Sequence, residues 1–376
     1  MNKREFIIKS AMSAGAILVC TKTGKSGINN LYSGISEELW KWSKEAEYYT
    51  QTPKGVKCLL CPNECSIKEG ELGDCHSRLN YKGKLYSIAY GNPCAVNIDP
   101  IEKKPLYHFL PKTKSYSIAT AGCNLSCLNC QNWTISQVGP RETKNYDLMP
   151  EKVVQETLKN KCRSISYTYS EPITFYEYMR DTAKSARLAG IKNVMVTAGY
   201  INEKPLRQIC KVIDAANVDV KSFSNDIYMK LNAGTLDPVL NTLKIMADEN
   251  IWLEIGNLIV PGWTDDFDMI KRFCDWIYKN NLHTYPLHFL RFYPQYKLSQ
   301  LAPTPVNTLL KAKEIALAAG IQFVYLGNVT GAEAQNTYCP SCKKLLVERK
   351  GYEITQNHII NGCCEYCKKK IPGVWN

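Results

Sequence analysis

The chain has 376 residues, 45% hydrophobic and 22% charged, which excludes a disordered polymer and leaves room for one large domain or two to three smaller units. Forty-seven Lys and Arg against 35 Asp and Glu give a net charge of +12, but the surplus is dispersed apart from Lys368, Lys369 and Lys370, so nucleic acid is not expected as a partner. Seventeen cysteines would suit a secreted disulfide framework, yet eleven, counting one of the adjacent Cys363 and Cys364, fall into three tight groups at 58 to 75, 123 to 130 and 339 to 367, a spacing that points to metal sites in a reducing compartment.

In chain order, the N-terminal "MNKREFIIKSAMSAGAILVC" has a basic start (Lys3, Arg4) and an apolar, small-residue run from Ala11 to Val19, too short to span a bilayer as a stable helix. "KREFIIK" resembles a twin-arginine export signal, and Cys20 is a candidate lipid-attachment residue. Residues 1–25 are therefore set apart as a leader or signal-like segment, followed by a Cys-rich N-terminal region over 26–112. Residues 29 to 50 carry an amphipathic helix pattern, and "KLYSIAY" (84 to 90) reads as a strand. Cys58, Cys61, Cys65 and Cys75 form a four-thiol set able to hold zinc or a second iron-sulfur cluster, with His76 as a substitute ligand.

Over 113–335 short apolar runs alternate with helical stretches. Strands are expected at 115–121, 164–169, 193–198, 217–222, 251–260, 286–293 and 321–327, and helices at 150–160, 172–189, 203–216, 238–250, 265–279 and 303–319. Such alternation builds a parallel α/β sheet with right-handed crossovers, in an open or partial barrel with its chemistry at the C-terminal strand ends. Over 336–376 two paired-cysteine knuckles, Cys339/Cys342 and Cys364/Cys367, about twenty residues apart, read as a small zinc-ribbon-like module.

"AGCNLSCLNCQNW" stands at the end of the first of these strands. Three thiolates at Cys123, Cys127 and Cys130 can each bind one iron of a cubane, leaving the fourth iron open to a chelating molecule. The stretch resembles the CxxxCxxC motif of radical S-adenosylmethionine (SAM) enzymes. With "DPIEKKPLYHFLP", "CQNWTISQ", "YTYSEPITFYEY", "FLRFYPQY", "YLGNV" and "IPGVW", the whole chain resembles the AmmeMemoRadiSam group, which is similar to pyruvate formate-lyase activating enzymes. Asn129 departs from the pattern, since most such motifs carry an aromatic residue there.

The resemblance implies a partial (β/α)6 TIM-like barrel and an enzyme that cleaves SAM reductively at a 4Fe-4S cluster, giving a 5′-deoxyadenosyl radical that abstracts hydrogen from a protein or small-molecule substrate. Activation of a glycyl-radical enzyme is the nearest analogy. It implies cofactor contacts at Glu171, Thr197, Gly199, Asp219, Lys221, His288 and Arg291, an adenine-cradling segment at 257 to 265, and a one-electron reductant such as flavodoxin or ferredoxin. Of the family's Gly-Gly-Glu-like element only Glu171 is present, both glycines being absent. The reductant and SAM being cytosolic, the expected location is the cytoplasm; the alternative is export or membrane anchoring through the leader. The rival functional class is a non-catalytic zinc-binding interaction protein.

Overall fold

The computed structural model describes residues 40–329 and 334–376. The leader lies outside the described residues, as does the beginning of the helix expected at 29–50. From Lys44 onward that helix is replaced by strands at Lys44–Glu45 and Tyr49–Thr52. The reason is local: "TPKG" (52–55) places Pro at the second position of a tight turn, and Tyr49–Thr52 folds back antiparallel on Gly55–Cys58. Lys44–Glu45 pairs instead with Lys84–Ser87, the strand expected from "KLYSIAY".

The core is an eight-stranded sheet: β1 (Ala95–Pro100), β2 (Lys114–Ala119), β3 (Ser164–Tyr167), β4 (Lys192–Thr197), β5 (Ala215–Asp219), β6 (Trp252–Ile259), β7 (Leu287–Arg291) and β8 (Val324–Gly327). Its spatial order is its chain order, β2 to β8 being parallel and β1 lying antiparallel on β2. The seven expected parallel strands are all present, and β1 adds an edge that its broken apolar pattern, "AVNIDP", did not announce. The sheet's two edges are β1 and β8. Parallel strands in sequential order need a crossover at every step, and these are α1 (Pro150–Lys159), α2 (Tyr176–Leu188), α3 (Glu203–Cys210), α4 (Leu236–Asp248), α5 (Phe267–Lys279) and α6 (Val306–Ala318).

Two of the helices start on plain sequence signals. Pro150 opens α1, and the Asp266 side chain accepts from Met269 N at 2.6 Å to cap α5, whose Met269, Ile270, Phe273, Cys274 and Ile277 form one buried face. The helix expected to run to residue 216 stops at Cys210. Asp214 is drawn into the sheet, its N–H donating to Asn193 O (2.9 Å) and its carboxylate accepting from Asn193 N (2.8 Å), so Ala215 and Ala216 begin β5. No helix among the described residues is long and apolar enough to cross a membrane.

Residues Thr337–Tyr338, Leu345–Lys350 and Glu353–Asn357 form a three-stranded antiparallel sheet. A buried polar chain ties this C-terminal segment to the loop after β1. Arg349 Nη1 donates to Thr337 Oγ1 (2.8 Å), Thr337 lies 2.8 Å from Tyr325 OH, Tyr325 OH lies 2.6 Å from His108 Nε2, and His108 Nδ1 lies 2.8 Å from Pro372 O. Because Arg349 can only donate, a consistent proton order runs from Arg349 to the Pro372 carbonyl through a neutral His108 with its proton on Nδ1. Val374 N donates to His108 O and Leu110 N to Val374 O, both at 2.7 Å.

Candidate active site

The strand ends of the parallel sheet open on a cavity of about 730 Å³. Cys123, Cys127 and Cys130 line it from the loop after β2, Thr168 to Glu171 from that after β3, Val196 to Ala198 from the end of β4, and Asp219 and Lys221 from the end of β5. Leu258 and Leu290 come from β6 and β7, and Gly327 to Val329 from the end of β8. Catalytic groups gathered at the C-terminal ends of parallel strands are what this architecture favours.

The three thiols are held in a hydrogen-bonded loop. Leu125 N donates to Cys123 Sγ (3.5 Å), Asn232 Nδ2 to Cys127 Sγ (3.2 Å), and Ser136 Oγ lies 3.1 Å from Cys130 Sγ. The loop itself is pinned by Ser126 N to Asn232 O and Leu128 N to Leu231 O, on a π-helical turn at Tyr228–Asn232. Asn129 Oδ1 and Asn232 Oδ1 are buried beside the thiols without a protein partner. Three convergent thiols, a polar group against each, and orphaned amide oxygens at a roomy cavity fit a cluster with one open iron. Burial pushes the Cys123 thiol well above its ordinary value, with the Glu171 carboxylate and Cys127 adding to the rise, so ligation must displace its proton.

Glu171 is buried, with both carboxylate oxygens hydrogen-bonded and room for one further donor on Oε2. Oε1 accepts from Thr197 Oγ1 (2.6 Å) and Ile173 N (3.3 Å), and Oε2 from Ala198 N (2.8 Å). Burial raises its pKa, and these hydrogen bonds only partly offset that. Thr197 in turn accepts from Gly199 N (2.9 Å). Gly199 has φ +67°, and a Cβ there would stand 2.9 Å from Val218 Cγ1, so the turn after β4 needs glycine. Lys221 Nζ lies 3.3 Å from Asp219 Oδ2. Burial acts to lower Lys221, but the Asp219 carboxylate and Cys127 outweigh it and carry the amine above its usual value.

Three candidate residues are placed differently, Gly199 being outside the lining and only backing the turn that holds Thr197 and Ala198. His288 reaches the cavity, but its Nε2 is 2.6 Å from Glu254 Oε2, and Glu254 also accepts from Tyr107 N (2.9 Å) and His108 N (2.7 Å). Arg291 is not among the lining residues; it donates to Thr304 O (2.7 Å) and Tyr293 OH (3.0 Å). Of the segment 257 to 265, Leu258 lines the cavity.

The site also contains residues that sequence reasoning missed. Lys103 and Lys104 line the cavity, and Lys104 Nζ donates to Asp99 Oδ2 (2.5 Å), which also accepts from Tyr169 OH; Lys103 Nζ donates to Asp99 Oδ1 (2.9 Å). Burial brings Lys104 down to about 8 despite the Asp99 carboxylate. Gly351 and Tyr352, in the turn between the last two strands of the C-terminal sheet, complete the rim. The signal for the lysines lay in the motif "DPIEKKPLYHFLP"; the Tyr352 turn had none.

The two outer cysteine sets differ in geometry. Cys339, Cys342, Cys364 and Cys367 bring their sulfurs within 4.8 Å of one another, a group able to hold a metal ion. Cys58, Cys61, Cys65 and Cys75 surround a separate small cavity of about 20 Å³.

The chain belongs to the radical SAM superfamily, whose model matches residues 117–274, from the cradle's own strand into α5. It is an enzyme, as expected, and the rival reading of a non-catalytic zinc-binding protein falls. An uncharacterized protein of Methanocaldococcus jannaschii is 44% identical over 331 residues, 87% of this chain and 98% of that protein. Pyruvate formate-lyase 1-activating enzyme of Escherichia coli is 26% identical over 208 residues, 52% of this chain and 85% of that enzyme. A solved domain of the pyruvate-formate lyase-activating enzyme from Bacteroides vulgatus aligns with 44% of this chain and 99% of its own, at 14% identity and a TM-score of 0.40. Membership implies a 4Fe-4S cluster and SAM as cofactors.

Proposed function

We propose that Cys123, Cys127 and Cys130 hold the 4Fe-4S cluster and that the chain abstracts hydrogen from a substrate received in the cavity they line. When bound, the cluster and SAM together supply a 5′-deoxyadenosyl radical from one electron delivered by a carrier such as flavodoxin or ferredoxin. The observation that carries this reading is the cradle itself: three thiols, each met by a polar group, opening on a cavity lined by parallel strand ends.

The chain's own residues divide the work. Glu171, fixed by Thr197 and Ala198, would present a carboxylate to the methionine amine, and Asp219 and Lys221, lining the same cavity, would supply ribose and carboxylate contacts. Lys103, Lys104, Asp99 and Tyr169 make a polar wall that suits a substrate bearing an anionic or hydrogen-bonding group. The Gly351–Tyr352 turn narrows the rim and limits water. Zinc at Cys339, Cys342, Cys364 and Cys367 fastens the C-terminal segment, in keeping with four thiols on one point. Activation of a glycyl-radical enzyme is a second reading, favoured by the match to activating enzymes.

Anaerobic reconstitution with iron and sulfide, followed by an assay for 5′-deoxyadenosine under reduction, tests the reading. The wild-type protein forms it and Cys127→Ala does not. Undiminished formation by the variant would show the cradle to be misassigned.

A further inference from the structure

We propose that Cys58, Cys61, Cys65 and Cys75 hold a second iron-sulfur cluster, which passes the electron to the cradle. The electron-passing role rests on the reading above; the cluster does not.

The geometry separates this set from a single-ion site. A tetrahedral zinc with Zn–S bonds of about 2.3 Å draws its sulfurs to roughly 3.8 Å from one another. The C-terminal four already match, with Cys339 and Cys367 at 3.6 Å and Cys342 and Cys364 at 3.7 Å. Among the described residues neither the cradle nor the N-terminal four form so tight a group. The N-terminal four instead line one common space without being drawn to a single ion's spacing, as a cubane allows when each thiolate ends on a different iron. Arg78 lines the same space, almost fully buried, and its Nε has no protein partner although Glu177 engages the far end of its guanidinium. An unpartnered donor at the wall is suited to a sulfide or thiolate acceptor.

The position suits electron transfer. Asn124, between Cys123 and Cys127 of the cradle, lines this second space and hydrogen-bonds the Cys61 thiol. Asn63, between Cys61 and Cys65, donates to Asn124 O at 2.9 Å. A Cβ on Gly122, next to Cys123, would stand 2.4 Å from the Cys75 carbonyl oxygen. The two cysteine loops are thus in backbone contact, while Cys65 is partly open to solvent. One electron enters from a one-electron protein carrier, resides on the N-terminal cluster and leaves by tunnelling to the cradle; no proton or group moves with it.

The test uses the full chain, reconstituted anaerobically with iron and sulfide, then analysed for iron and zinc and by Mössbauer and electron paramagnetic resonance spectroscopy. About eight irons per chain are expected, in two cubane populations, of which one responds to SAM. Cys61→Ser loses about four irons and keeps the SAM-responsive signal, whereas Cys123→Ala loses that signal and keeps the other. With dithionite the Cys61→Ser protein forms 5′-deoxyadenosine at the wild-type rate, and with reduced flavodoxin at least roughly tenfold more slowly. About four irons and two zincs in the wild-type protein would overturn the second cluster, a measurement that does not depend on any variant folding. Equal rates with flavodoxin would overturn the electron-passing role. A wild-type protein with two cubanes but no 5′-deoxyadenosine would overturn the proposed function and leave the second cluster standing.

Discussion

Glu171 shows how a single carboxylate is held ready. Its two oxygens meet three donors, so its direction is set before any ligand arrives. Glu171→Gln places an amide NH2 against a donor or forces Thr197 to turn away from Gly199. Hydrogen bonds to charged groups being worth about 1.5–3 kcal/mol, the variant is expected to bind SAM roughly tenfold or more weakly with unchanged iron content, measured by titration of the reconstituted protein. At this scale the sequence was readable where function is written in spacing: Cys123, Cys127 and Cys130 are neighbours in the chain before they are neighbours in space. Asn232 was not readable, because it reaches Cys127 from more than a hundred residues along the chain, whereas Lys103 and Lys104 lay within a motif whose place at the cavity the sequence did not reveal.

At the level of elements, the strand-helix alternation from 115 to 327 was legible because buried parallel strands are short apolar runs and their crossovers carry helix start signals. The stretch 44–52 was not, since the same spacing of Trp42, Ala46 and Tyr49 serves a helix face or short strands, and pairing decides between them: Tyr49–Thr52 with Gly55–Cys58 across the Pro53 turn, and Lys44–Glu45 with the distant Lys84–Ser87. What fastens this N-terminal region to α2 is the buried pair of Arg78 and Glu177, at 2.9 and 2.8 Å, with Glu177 also accepting from Glu47 N at 2.8 Å. Removing one partner of a buried pair leaves an uncompensated charge, so Glu177→Ala is expected to cost about 3–5 kcal/mol, read from chemical denaturation. A loss under about 1 kcal/mol would mean that Arg78 finds water or another partner.

For the whole molecule, the chain from Arg349 to Pro372 works only with His108 neutral, and burial holds that imidazole down to about 4. Above its ordinary value of about 6.5 the ring is neutral folded or unfolded, and this contribution is complete. As pH falls from about 6.5 toward 4 the unfolded chain takes up a proton that the folded chain refuses, so stability is lost, by up to about 3 kcal/mol. Thermal unfolding followed from pH 7.5 to pH 4.5 should show a steeper decline for the wild-type protein than for His108→Gln, which lacks the titrating ring. Parallel curves would place the pH sensitivity elsewhere.

The contact between His108 and Val374 also orders events in time. The parallel sheet pairs each strand with the one made just before it, and so can assemble as the chain emerges during synthesis. The loop after β1 must wait for residues 372 to 374, more than 260 positions later, before its partners exist. Until then the polar chain that begins at Arg349 has no carbonyl at Pro372 to end on.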